Sequence, residues 1–71
     1  MENETFIDRL LMERNELKGK RDKLELYLLK GLSSEISLFH QMLLTMQLQA
    51  MDNYLNILNL RIQDLGCEYQ P

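Results

Sequence analysis

The chain has 71 residues, a net charge of −3 and a single cysteine, which limits it to one small domain. A core of this size is marginal alone, and such chains usually gain stability from a disulfide, a metal or self-association. Cys67 has no second cysteine to pair with, and His40 has no nearby cysteine or second histidine, so the usual zinc spacings are absent. We therefore expect self-association and no cofactor.

The first half of the sequence predicts one long helix. Thr5 followed by Asp8 resembles a capping box, with aspartate in the place of glutamate. Leucines at positions 10, 17 and 24 then repeat every seven residues, as they do where one helix packs against another. We predict a helix over about residues 6–30, ended by Gly31 in the left-handed conformation.

The second half predicts a longer and more apolar helix over about residues 35–65, capped by Ser33 or Ser34 and stopped by Gly66. The uncharged run from residue 36 to residue 51 is 16 residues long, whereas a membrane span needs about 20. This run therefore predicts a helix that is buried against protein and does not cross a membrane.

The apolar residues of the second helix form two seams, and one partner helix can cover only one of them. The first seam contains Ile36, Phe39, Leu43, Met46, Ala50, Ile57 and Leu60, and the second contains Leu38, Met42, Leu55, Leu58, Ile62 and Leu65. An exposed seam of this length marks an interface. We predict an all-α fold, in which an antiparallel two-helix hairpin assembles through its second helix into a homo-oligomeric bundle. The hairpin forms one domain over residues 1–71, with short flexible tails at 1–4 and 67–71.

Positive charge is concentrated in the first helix. Seven of the eight lysines and arginines lie in residues 1–32, most densely in the stretch KGKRDK at positions 18–23. A turn near residue 32 would place this stretch opposite residues 43–47 of the second helix.

Arg14 and Arg21 interrupt the leucine seam, and two interpretations stay open. In the first interpretation, the aliphatic parts of the two arginine side chains pack against the seam, while their guanidinium groups reach water or nearby carboxylates. Those carboxylates are Glu16, Asp22 and Glu25. In the second, Arg14, Lys18 and Arg21 line a groove that grips phosphate oxygens. Gly19 would then permit the close approach of a ligand or of a second backbone.

Tyr54 lies in the middle of the apolar surface of the second helix. Two interpretations stay open: Tyr54 is an interface residue whose hydroxyl is exposed to water, or its ring is a surface on which a nucleobase stacks. In the second interpretation, Arg9 and Arg61 are near enough to reach a phosphate of the same ligand. The predicted ligand-binding residues are Arg9, Arg14, Lys18, Arg21, Tyr54 and Arg61. The sequence contains no plausible nucleophile–base pair, glycine-rich phosphate loop or HExxH motif, so we expect no enzymatic activity.

Two stretches, FIDRLLMERNELKGKRDKLELYL and LLTMQLQAMDNYLNILNLRI, carry a wider pattern. It runs F-x-x-R-L, E-x-x-x-L and K-L-x-x-(F/Y)-L, then Q-L-x-A-M-x-x-Y-x-x-(I/L)-L-x-x-R-I, from Phe6 to Ile62. This pattern resembles a family of small helical-hairpin proteins from tailed phages. In size and architecture the chain is also similar to the oligomeric sponges with which phages counter CBASS and Thoeris defence, and those sponges bind cyclic nucleotides between protomers.

The resemblance implies a phage immune-evasion protein in the cytoplasm of an infected bacterium, where it sequesters a cyclic nucleotide defence signal in pockets of a homo-oligomer. The alternative is a structural or regulatory coiled-coil module whose second seam binds a helix of a host or phage protein. Nucleic-acid binding through residues 18–23 is the weakest hypothesis, because the second half of the chain is acidic. We expect no membrane partner.

Overall fold

The computed structural model of the protein describes residues 5–30 and 36–66, and this part of the chain is all-helical. Helix α1 spans Phe6–Leu29 and helix α2 spans Leu38–Asp64. The helices run antiparallel, because Phe6 at the start of α1 lies against Arg61 near the end of α2. The predicted two-helix hairpin is confirmed. The predicted tails and the predicted cap at Gly31 lie outside the described residues.

Side-chain caps define where both helices begin. Thr5 accepts a hydrogen bond of 3.0 Å from the Asp8 amide, and Asp8 accepts one of 3.2 Å from the Thr5 amide, so the predicted capping box is confirmed. The predicted cap at Ser33 or Ser34 is wrong, since Ser37 caps α2 by accepting a bond of 3.0 Å from the His40 amide. Each of these nearby serines has the chemistry of a cap, and the sequence pattern does not rank them.

The end of α2 follows the prediction. Gly66 has a φ of 78°, in the left-handed region that favours glycine, and its amide donates a hydrogen bond of 3.0 Å to the Gln63 carbonyl. Neither helix, within the described ranges, is long and apolar enough to cross a lipid bilayer.

The described core is small and lies toward the open end of the hairpin. Leu10, Leu58 and Ile62 are at most 3% exposed, and Leu11 and Leu17 pack against them. Fully burying one such side chain contributes roughly 2–3 kcal/mol, while ordering one residue costs roughly 1–2 kcal/mol. These three side chains therefore offset the ordering of only a few residues, and further apolar contacts would stabilise the chain.

The seam that α2 turns toward α1 differs from both predicted seams. Its buried and half-buried apolar residues repeat at alternating intervals of four and three: Leu44, Leu48, Met51, Leu55, Leu58 and Ile62. Leu38 and Met42, which we grouped with Leu58, are 73% and 55% exposed, so that grouping is wrong. The physical reason is that a helix as apolar as α2 carries several seven-residue repeats, and only packing selects the one that faces α1.

A second repeat remains exposed on another face of α2. Its five large members are 41–67% exposed. Together with Ala50 and Asn53 they form what we call the outer stripe: Phe39, Leu43, Met46, Ala50, Asn53, Ile57 and Leu60. Most of the first predicted seam is thus uncovered in one chain, as expected for a seam that α1 cannot reach.

The register between the helices differs from the prediction at the basic stretch. Arg21 contacts Asp52, and it does not face residues 43–47 as predicted. The prediction placed the turn near residue 32, but α2 begins only at Leu38. Because the connection is longer than assumed, Arg21 reaches a later part of α2 than predicted.

Candidate functional site

One edge of the hairpin gathers charged side chains from both helices, and we call it the carboxylate edge: Lys18, Arg21, Asp22, Glu25 and Asp52. Arg21 Nε donates to Asp52 Oδ1 across the helices at 2.5 Å. Its Nη1 lies 2.9 Å from Asp22 Oδ1 and 2.8 Å from Glu25 Oε1, and Lys18 Nζ lies 2.9 Å from Asp22 Oδ2. The edge is a continuous network of ion pairs.

The network changes the acidity of two of its members. Hydrogen bonds to Asp52, and then to Asp22 and Glu25, raise the pKa of the Arg21 guanidinium above its ordinary value. Hydrogen bonds from Lys18, and then from Arg21, hold the pKa of Asp22 below its ordinary value of 3.8. Both groups are therefore charged near neutral pH.

The carboxylate edge sets two cations against three carboxylates. Arg21 pairs with Asp22 and Glu25. This pairing corresponds to the first of the two interpretations, in which the arginine head reaches nearby carboxylates. Sequence reasoning missed Asp52, although it is the one charged residue between positions 36 and 60 and could have been matched to the basic stretch. A phosphate that reached Arg21 would have to displace a carboxylate from a charge-assisted hydrogen bond.

The opposite edge carries aromatic side chains, and we call it the tyrosine edge: Phe6, Glu13, Tyr54 and Arg61. The Tyr54 hydroxyl donates a hydrogen bond to Glu13 Oε2 across the helices. The Arg61 guanidinium carbon lies 5.7 Å from the centre of the Phe6 ring, a cation–π contact. Asp52 and Tyr54 are two positions apart on α2, or about 200° around the helix, so the two edges face in different directions.

The structure thus separates the predicted ligand-binding residues of a single chain. Lys18 and Arg21 lie on the carboxylate edge, whereas Tyr54 and Arg61 lie on the tyrosine edge. The two sets do not form one pocket within one hairpin.

The remaining two predicted residues lie in different surroundings. Arg14 is only 7% exposed and lies on the face of α1 that packs against α2. Arg9 is exposed and lies within one helical turn of Phe6. Arg9 is therefore the predicted cation that can join the tyrosine edge.

Gly19 is exposed in the middle of α1, and a Cβ placed there would meet nothing within 4 Å. No contact inside the described chain explains this glycine. The prediction that it admits a ligand or a second backbone stays a prediction.

A shallow groove of about 350 Å³ lies on α2 near its N-terminal end. It is lined by Leu38, Gln41, Met42, Thr45, Met46 and Gln49. Methionine side chains are flexible and polarizable, so this groove can adapt to apolar partners of different shapes. Sequence reasoning assigned Met42 and Met46 to different seams and did not place them together.

Within residues 5–30 and 36–66, no group of three or more His, Cys, Asp or Glu side chains could hold a metal ion. A small core, two polar edges and an exposed apolar stripe define a small helical-hairpin protein that offers surfaces for binding. The sequence model of the Sequestin family matches residues 4–64, and the chain belongs to that family. No curated protein matches the chain significantly, and no solved structure does.

Proposed function

We propose that the protein sequesters a small phosphorylated signal of the cyclic nucleotide class, binding it on a homo-oligomer without converting it chemically. The observation that carries this proposal is the family match over residues 4–64, since the name Sequestin denotes sequestration. The setting is the cytoplasm of an infected bacterium, where a phage protein would remove a defence signal from its host.

The tyrosine edge is the surface best suited to such a ligand. Tyr54 is 44% exposed, so part of its ring is available for stacking on a base. Within the described part of the chain, Arg9 and Arg61 form no ion pair, in contrast to the cations of the carboxylate edge. Arg61 lies over the Phe6 ring in a cation–π contact that uses none of its N–H groups as hydrogen-bond donors, so these groups can donate to phosphate oxygens.

The oligomer in this proposal forms through α2. The five large apolar side chains of the outer stripe are 41–67% exposed, and such a continuous apolar surface is costly to leave in water. A second copy that covers the stripe would add the apolar burial that the three-residue core of one chain lacks.

Calorimetric titration with a panel of cyclic di- and trinucleotides tests the proposal. We expect one class of cyclic nucleotide to bind and to raise the melting temperature. Tyr54→Ala should weaken binding roughly 10- to 100-fold, as expected for the loss of one stacking platform. Tyr27→Ala is the matched control, because Tyr27 is 41% exposed but lies on α1, and it should bind like the wild type.

Arg61→Gln should weaken binding more at low ionic strength than at high, because salt screens the attraction between an exposed Arg61 and the ligand's phosphate. A panel in which no cyclic nucleotide gives heat or changes the melting temperature would refute the proposed ligand class.

The second candidate function is a regulatory module that binds a helix of a host or phage protein. The observation that favours it is the methionine-lined groove on α2, which suits the apolar face of an amphipathic helix. A purified partner should then bind in a fixed stoichiometry that Met42→Glu abolishes and Asn56→Glu leaves intact. Equal binding by both variants would argue against this groove.

A further inference from the structure

The outer stripe has the spacing of a coiled-coil seam, with members at alternating intervals of four and three residues from Phe39 to Leu60. Asn53 is its one polar member, and Asp64 follows at the next position of the same repeat. All these positions are exposed in one chain. This single face therefore combines a long apolar surface with two polar residues, Asn53 and Asp64, which can define the direction and register in which a second helix pairs with it.

We propose that the outer stripe pairs antiparallel with the outer stripe of a second copy, with Met46 opposite the partner's Ile57 and Ala50 opposite the partner's Asn53. The inference rests on the proposed function, which it deepens by stating how two protomers build one binding site.

The position of Asp64 favours the antiparallel direction. In a parallel pair each residue of the repeat meets its own counterpart, so Asp64 would face a second carboxylate across the seam. In the antiparallel pair Asp64 lies at the end of the stripe near the partner's Phe39, and like charges stay far apart. The remaining positions of the stripe carry no charge, so nothing opposes this arrangement.

Asn53 selects among the antiparallel registers. In the proposed register Leu43 lies opposite the partner's Leu60, so large apolar side chains meet large apolar side chains. The two Asn53 amides come together beside the two-fold axis, where each can donate to and accept from the other. A shift by one heptad would place Asn53 against the partner's Leu43 and leave that amide without a polar partner, which is costly.

The pairing brings the tyrosine edges of two protomers onto one surface. Gln47, Tyr54 and Arg61 occupy one flank of the outer stripe, between the stripe and the seam that faces α1. The partner's Gln47 then lies beside Tyr54. At about 1.5 Å per residue, each Tyr54 is about 4 Å along the helix axis from the two-fold. Two Tyr54 side chains therefore flank one ligand, and we expect a ligand with two planar rings, bound once per two chains.

Cysteine cross-linking tests the direction and register in the absence of any ligand. Met46→Cys and Ile57→Cys are each made with Cys67→Ser, and oxidation is followed alone and after mixing. We expect the mixture to form a disulfide-linked dimer several-fold faster than either variant alone. Faster linking by each variant alone would establish a parallel pair, and no linking in any sample would exclude pairing through this stripe. Either result overturns the inference.

The same samples separate this inference from the proposed function. Cross-linking of the mixture with no response to any cyclic dinucleotide would leave the pairing intact and remove the proposed ligand. Nucleotide binding at one ligand per chain, with no cross-linking, would keep the ligand and overturn the pairing. Because cysteine at either position is smaller than the residue replaced and remains apolar, both variants retain the helix and the stripe.

Discussion

Helices α1 and α2 are similar in length, at 24 and 27 residues, but they use their surfaces differently. Eleven residues of α1 are charged, against three of α2. The exposed apolar residues of α1 point in several directions, whereas those of α2 include the continuous outer stripe. A helix with scattered apolar residues and many charges can face water, while a helix that is apolar on two faces needs two neighbours. The comparison makes α1 the more charged helix and α2 the helix with an uncovered apolar face.

The inner face of α2 should show the largest effect on folding. Leu58 is 0% exposed in the core, and Leu58→Ala should lower the free energy of unfolding by about 2–5 kcal/mol through lost burial and the cavity left behind. Leu29→Ala on α1 is the control, since Leu29 is 77% exposed and its loss should change stability by less than about 0.5 kcal/mol. Urea unfolding at one protein concentration measures both, and equal effects would contradict the packing described for α2.

The outer face of α2 should show the largest effect on assembly. Ile57→Glu places a carboxylate in the proposed interface and should weaken association by about 3 kcal/mol, or roughly 100-fold. Light scattering should then report 8.5 kDa, the mass of one chain, where the wild type gives at least twice that value. Asn56→Glu adds the same charge beside the stripe and should keep the wild-type mass. An unchanged mass for Ile57→Glu would remove the outer stripe as the interface.

A substitution at Gly19, in α1, should have a smaller effect on the free energy of unfolding. Gly19→Ala should raise the free energy of unfolding by about 1 kcal/mol, because alanine favours a helix and the new methyl group meets no atom of the chain. Gly66→Ala should lower it by about 1–2 kcal/mol, because the φ of 78° strains any residue with a Cβ. If Gly19→Ala instead weakened nucleotide binding or lowered the oligomer mass, α1 would be shown to receive a ligand or partner at this position.

The carboxylate edge should give the smallest effect, visible in the pH dependence of stability. The pKa of Asp22 is lower in the folded chain than its ordinary value of 3.8, so the charged carboxylate stabilises the fold above pH 3.8. That contribution is lost as the pH falls below 3.8 through the lower folded pKa. Wild type should therefore melt above Asp22→Asn near neutral pH, and the difference should shrink as the pH falls below 3.8. A constant difference in melting temperature down to pH 2 would contradict the ion pairs of Asp22.

Much of the fold followed from local chemistry. The capping box at Thr5, the leucine repeat of α1 and the stop at Gly66 are signals within a few residues of one another, and each predicted element is present. Local signals were sufficient there because a cap or a left-handed glycine acts within one helical turn. The prediction of where α2 begins was wrong because several serines have the chemistry of a cap. The choice of Ser37 depends on the whole connection between the helices.

The sequence by itself determined that this protein is a hairpin of one charged and one apolar helix, since helix periodicity and capping are properties of neighbouring residues. Tertiary structure alone decided which repeat of α2 faces α1 and which is left uncovered. It also decided that Arg21 reaches Asp52 of α2, while Tyr54 and Arg61 lie on the other edge. The physical reason is that pairing between residues far apart in sequence depends on the register of the two helices, and a longer turn shifts every pair at once.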